Sequence, residues 1–202
     1  MLGFLTKHKL IYMLPIAYGL YNLAFRDLAI FWYMYTFAIL ILMSAAIMFS
    51  EIKDELRTWQ SLAYGLTAAA AMYFILFAGY HLLRLFEVGA VRPTAEFLSV
   101  FTPASVWHFL LLMFIVVPGE ELFWRGFVQQ QLKQYLPVPL AIGIGSVLFG
   151  LTLWLAGFWP GIFAGITVGM ILGYLYEKKR SIPLLIVAHL LLILFIFIIF
   201  PF

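Results

Sequence analysis

The 202-residue chain has no cysteine, which excludes disulfide staples, thiolate metal sites and cysteine nucleophiles. Charge is scarce as well. Asp, Glu, Lys and Arg make up 10% of the chain, against about 25% in ordinary soluble domains. Its twelve Lys and Arg are scattered, and the net charge is only +3. That balance reads as membrane topology and gives no basis for a nucleic-acid partner. Polar tracts long enough for a disordered regulatory tail are also lacking.

What fills the chain is apolar: 65% of residues are hydrophobic. A globular chain of this size could not hide so much apolar surface from water. Lipid is the solvent that fits. Spanning helices need about 20 apolar residues each, which leaves room for six to eight. The expectation is an all-α polytopic membrane bundle of about seven helices, forming a single membrane domain over residues 1–202. Lys7-His8-Lys9 ahead of an apolar stretch superficially resembles a signal peptide. No small-residue cleavage site follows and another apolar segment begins at once, so the stretch reads as a retained helix.

Charges and breakers divide the sequence into seven spans. These run about Leu10 to Phe25, Leu28 to Ser50, Gln60 to Leu83, Pro103 to Lys133, Val138 to Ala156, Trp159 to Tyr176 and Ile182 to Phe202. The fourth is expected to kink at Pro118-Gly119, and Arg84 to Glu96 reads as the longest polar interruption. With the N-terminus inside, inner loops hold Lys7, Lys9, Lys53, Arg57, Lys133, Lys178, Lys179 and Arg180, while outer loops hold Arg26, Arg84 and Arg92. Eight against three favours N-inside and C-outside. The expected location is a prokaryotic cell membrane with a cytoplasmic N-terminus.

Gly161, Gly165, Gly169 and Gly173 repeat every four residues along the sixth span. Small-xxx-small faces let helices approach closely in lipid. Packing within the same chain is preferred over a homodimer face, with Gly143, Gly145 and Gly150 on the fifth span as the candidate partner surface. Oligomeric state is left open.

Ionisable groups inside a span are costly unless paired or hydrated, which makes them functional candidates. One cluster stands out: Pro118-Gly119-Glu120-Glu121-Leu122-Phe123-Trp124-Arg125-Gly126. Glu121 and Arg125 at i and i+4 share a helix face and can pair. Glu120 points about 100° away, beside a like charge and partly desolvated, a setting suited to a general base acting on water. The plainer alternative is a Glu-Arg pair that ends a helix at the membrane interface. His189, near the middle of the last span, needs an interhelical partner, and the Glu120/Glu121 cluster is the obvious one. His108 and His81 carry no motif and read as structural. Two Glu and one His could in principle hold a metal, yet HExxH is absent and no other ligand set appears, so no cofactor is expected.

The run Glu120-Glu121-x-x-x-Arg125-Gly126-Phe127 strongly resembles the first motif of the CPBP family, the CAAX proteases and bacteriocin-processing (Abi) proteins. The resemblance spans about residues 103–193, the family's helical core. It implies an intramembrane glutamic endopeptidase in which Glu120 activates a water and Glu121 and Arg125 support the site. A FxxxH motif should follow, but Phe149-Gly150-Leu151-Thr152-Leu153 has Leu153 at the His position. A final HxxxN or HxxxD motif is matched by His189, with Ile193 in place of the Asn.

The expected catalytic set is therefore Glu120, Glu121, Arg125 and His189. Two functions are open: an endopeptidase cleaving membrane-associated hydrophobic peptides or membrane proteins, or a family homologue without turnover serving as scaffold, immunity factor or membrane-protein partner. Membrane lipid is the expected surround in both. A transporter would show inverted repeats or discontinuous helices, and the sequence shows neither.

Overall fold

The computed structural model describes residues 9–199. Lys7 and His8 of the basic cluster and the last three residues of the expected seventh span lie outside the described residues. The chain forms an all-α membrane bundle. Its helices are α1 (Lys9–Arg26), α2 (Phe31–Phe49), α3 (Thr58–Leu85), α4 (Val91–Phe101), α5 (Val106–Leu132), α6 (Val138–Leu151), α7 (Trp159–Lys179) and α8 (Ile182–Leu194). Leu28–Phe49, Thr58–Leu85, Val106–Leu132 and Trp159–Lys179 are long and apolar enough to cross a membrane. Val138–Trp154 and Ile182–Ile198 are apolar but shorter. At about 1.5 Å per residue, 17 residues give about 25 Å, somewhat less than a hydrocarbon core of about 30 Å. The seven expected spans all appear as helices among the described residues, although only four are both long and apolar enough to cross a membrane.

The interruption around Arg84 to Glu96 is not simply a loop. After a turn with left-handed Glu87 (φ 53°) and Gly89 (φ 72°), α4 begins inside it. Arg92 donates to Glu96 across one exposed helical turn, 2.7 Å, while Phe101 and Thr94 on the helix are buried. Charge on one face had disguised an amphipathic helix.

Nor does α5 break at Pro118. Instead its ladder widens to π geometry at Leu112–Val116 and again at Leu122–Val128. Val117 donates to the Leu112 carbonyl, and Gln129 to that of Trp124. A proline ring clashes with the carbonyl four residues before it, here Phe114, which lies inside the first widened turn. Extra backbone there absorbs the clash.

Two apolar cores flank α5. One joins α1, α2, α5 and α6 through Tyr21, Ile39, Trp124, Phe127 and Phe149. The other joins α3, α7 and α8 through Met72, Leu172, Leu184 and Leu185. Small residues set the spacing. A Cβ on Gly65 would meet the Val187 side chain and the Ala188 backbone, and one on Gly119 would strike Ile39. Thus α8 closes on α3, and α2 closes on α5, next to the residues of greatest interest.

The glycine stripe of α7 packs within the chain, against α6. A Cβ on Gly165 would stand 2.9 Å from Gly150 Cα, and one on Gly169 2.8 Å from Ser146 Cβ. The partner face is therefore Ile142, Ser146 and Gly150, spaced at four. Gly143 has nothing within 4 Å, and Gly145 turns toward Leu132 on α5; only Gly150 of the three expected glycines lies on that face.

Polar contacts gather at one end of the bundle. Lys133 pairs with Glu177 at 2.7 Å, and Gln129 donates to the same carboxylate at 2.9 Å. The loop after α2 is fastened to the α7–α8 turn: Glu55 N donates to Arg180 O at 3.0 Å, and Ser181 Oγ to Asp54 at 2.7 Å. Lys9 lies over the Phe49 ring, 4.9 Å away, beside that loop. The described basic residues assigned to inner loops therefore share one end.

Gly169→Val should destabilise the chain by about 1–3 kcal/mol by overpacking α7 on α6. Gly143→Ala should change stability by less than about 0.5 kcal/mol. Thermal melts of the full chain in detergent compare the two.

Candidate functional site

The charged cluster lies where α5 is wedged between the two cores. Glu120 and Glu121 end the central α-helical stretch of α5, and Arg125 lies in the second widened turn. Glu120, Glu121, Arg125 and His189 are all buried. Such a set is tolerable in a membrane protein because each charge faces the bundle interior and has partners there.

Glu121 Oε1 is the meeting point. It accepts from Arg125 Nη1 at 2.8 Å and lies 2.7 Å from His189 Nδ1. The i, i+4 pairing expected from sequence is present, and His189 joins it from α8. The Arg125 guanidinium also sits 4.5 Å from the centre of the Phe149 ring, a cation–π contact from α6. Glu121 Oε2 and Arg125 Nη2 are buried without hydrogen-bond partners among the described residues.

Glu120 points elsewhere, as its 100° offset requires. Its Oε1 accepts from the Tyr35 hydroxyl of α2, and its Oε2 stands 3.9 Å from His189 Nε2. A single imidazole thus spans both carboxylates, closer to Glu121 than to Glu120. With Nδ1 donating to Glu121, the neutral ring carries its lone pair on Nε2. Two acceptors then face each other across 3.9 Å, a separation that one water molecule bridges by donating to both.

A cavity of about 420 Å³ opens on this side of the cluster. Tyr35, Glu120, Phe149, Leu153, His189 and Ile193 contribute to its wall. The positions where the motifs place His and Asn therefore face the same space as Glu120 and His189, but present hydrocarbon. Phe97 and Phe101 from α4 also line it, so the helix hidden in the polar interruption forms part of the wall. Much of the lining is aromatic or aliphatic, suiting an apolar ligand with a few convergent polar atoms.

His108 and His81 are elsewhere. His108 stacks on Trp32 with ring centres 5.0 Å apart, and His81 packs on Phe77 at 4.2 Å. Among the described residues, no group of three or more His, Cys, Asp or Glu is arranged to hold a metal ion. Sequence reasoning missed Tyr35 and the neighbouring Tyr21, which accepts from Trp124 Nε1 at 3.2 Å. Their one signal was a phenolic hydroxyl placed in an apolar helix, where it needs a partner.

Removing Arg125 would leave Glu121 as a buried charge with only the histidine beside it. Arg125→Met should cost about 3–5 kcal/mol. Adding Glu121→Gln to it should restore part of that loss, measured by equilibrium unfolding in mixed micelles.

Residues 101–195 match the family described as type II CAAX prenyl endopeptidase, Rce1-like. No curated protein and no solved structure matches the chain significantly. The matched stretch runs from the end of α4 through α8, so it contains Glu120, Glu121, Arg125 and His189 and leaves Tyr35 outside. With its apolar helices and its EExxxR motif on a buried face, the stretch at residues 101–195 is consistent with the CPBP/CAAX protease family.

Proposed function

We propose that the chain is a working intramembrane endopeptidase, a single membrane-embedded unit with its functional core at residues 103–193 and its N-terminus cytoplasmic. The observation that carries this reading is that Glu120 and His189 face one apolar cavity with their free acceptor atoms 3.9 Å apart. A water held between Glu120 Oε2 and His189 Nε2 loses a proton to Glu120 as its oxygen attacks the carbonyl carbon of a peptide bond. The tetrahedral adduct collapses as the C–N bond breaks, and protonated Glu120 returns that proton to the leaving nitrogen. Glu121 and Arg125 act indirectly, by fixing the tautomer and orientation of His189. Substrates are apolar segments of membrane-associated peptides or membrane proteins, matched to the lining of the cavity.

One observation favours the second reading, a homologue that binds without turnover. Leu153 and Ile193 stand in the cavity wall where an imidazole and an amide would assist. The loss of a general acid–base partner is worth about 10²–10⁴-fold and that of an oxyanion donor about 10²–10³-fold. Neither loss removes the base or the water position, so the catalytic reading stands first.

Wild type and Glu120→Ala, reconstituted in lipid with a library of hydrophobic peptides, separate the two. Cleavage products should fall at least about 10²-fold in the variant. Identical product profiles at saturating enzyme would overturn the protease reading. Leu153→His should raise cleavage by up to about 10²-fold, because its side chain enters the same cavity; an active protein indifferent to it would refute the assignment of that position.

A further inference from the structure

Beyond the family-matched core, a polar side chain hydrogen-bonds to the site's carboxylate. Tyr35 comes from α2, yet its hydroxyl donates to Glu120 Oε1 and its ring lines the cavity. Its placement is built in at several levels. Gly119, adjacent to Glu120, lets α2 approach at Ile39, one helical turn from Tyr35. The Tyr35 ring is held among those of Phe31, Tyr21 and Phe25, with centres 5.1, 5.5 and 5.7 Å away. Tyr21 is held in turn by the Trp124 indole, which donates to its hydroxyl and stacks at 6.5 Å. Trp124 lies on α5 beside the charged cluster, so the aromatic support closes on the helix that carries Glu120.

The two Glu120 oxygens are thereby given different surroundings. Tyr35 occupies Oε1, and Oε2 is left toward His189. A carboxylate on a flexible side chain can rotate and exchange its oxygens. A donor locked on one oxygen suppresses that rotation and keeps the other aimed at the reacting water. The apolar side chains of Leu153, in the turn after α6, and Ile193, on α8, cannot do this.

Resting on the catalytic reading above, we propose that Tyr35 is a positioning residue of this site. The half of the chain outside the family core supplies it, and its hydroxyl fixes the base by a charge-assisted hydrogen bond. A purely structural tyrosine would also satisfy a buried carboxylate, so the test needs a signal that packing alone does not move.

Tyr35→Phe removes one oxygen and keeps the ring. In the lipid-reconstituted full chain, kcat for a cleaved hydrophobic peptide should fall about 10–100-fold, the worth of a hydrogen bond to a charged group, with KM changed less than about twofold. Tyr33→Phe, on the exposed side of the same helix, should leave both constants alone. Infrared spectra give a readout free of turnover: the carboxyl band that disappears in Glu120→Gln should shift in Tyr35→Phe. An unmoved band overturns the proposal whatever the rates. Wild-type kcat in Tyr35→Phe, with cleavage abolished in Glu120→Gln, overturns the role of Tyr35 and spares the base. Wild-type cleavage in Glu120→Gln overturns the base, and Tyr35 with it.

Discussion

Everything near the site depends on one buried oxygen. Glu121 Oε1 is shared between a guanidinium four residues along its own helix and an imidazole from α8. In a low-dielectric interior an ionised carboxylate without partners would cost several kcal/mol, so neither contact is dispensable. Through Arg125 the same charge reaches the Phe149 ring of α6. Three helices are thereby fixed around a single negative charge, and the orientation of His189 toward Glu120 follows from it. Adjacent carboxylates take different tasks because one is consumed by structure while the other is left facing open space.

The apolar scaffold makes such a cluster tolerable. Helices α6 and α7 meet backbone to backbone through Gly150, Gly165 and Gly169, and α3 and α8 close through Gly65. In lipid this close approach replaces the hydrophobic drive available in water. It also leaves volume elsewhere: the cavity lies where aromatic rings from α1, α2 and α4 stand off from α5 and α8. Close packing on one side and spacing by large rings on the other shape the space beside Glu120.

Much of this is legible in the sequence, for identifiable reasons. Scarce charge marks helix ends, so the spans emerge within a few residues, and a Glu-Arg pair at i, i+4 inside an apolar run announces itself. Leu153 and Ile193 could be placed because their motif neighbours Phe149 and His189 fixed the register. Other features leave no such trace. Arg92 and Glu96 made α4 read as loop because its apolar face looks no different from its surroundings in a chain this hydrophobic. For the same reason the α6 face opposing α7 reads as glycine in the sequence, although Ser146 serves as well. Tyr35 is separated from Glu120 by 85 residues, and local pattern cannot report a contact that depends on how α2 packs. Pro118 marks the place of the first widened turn of α5, but no residue pattern reveals the second, which hydrogen bonding and not composition defines.

Those turns have a consequence for the angular phase of α5. A widened turn accommodates about one residue more than an α turn, and each extra residue rotates the remainder of the helix by about 100°. The helix therefore changes its facing twice as it passes through the bundle. Its first turns expose Trp107 and Phe114, whereas the segment from Phe123 to Val128 is buried throughout. An uninterrupted α-helix of the same sequence would hold one facing over its whole length. Pro118 thus acts as an indexing point: the backbone adjustment that accommodates its ring also helps to set the angle at which the two glutamates after it enter the interior.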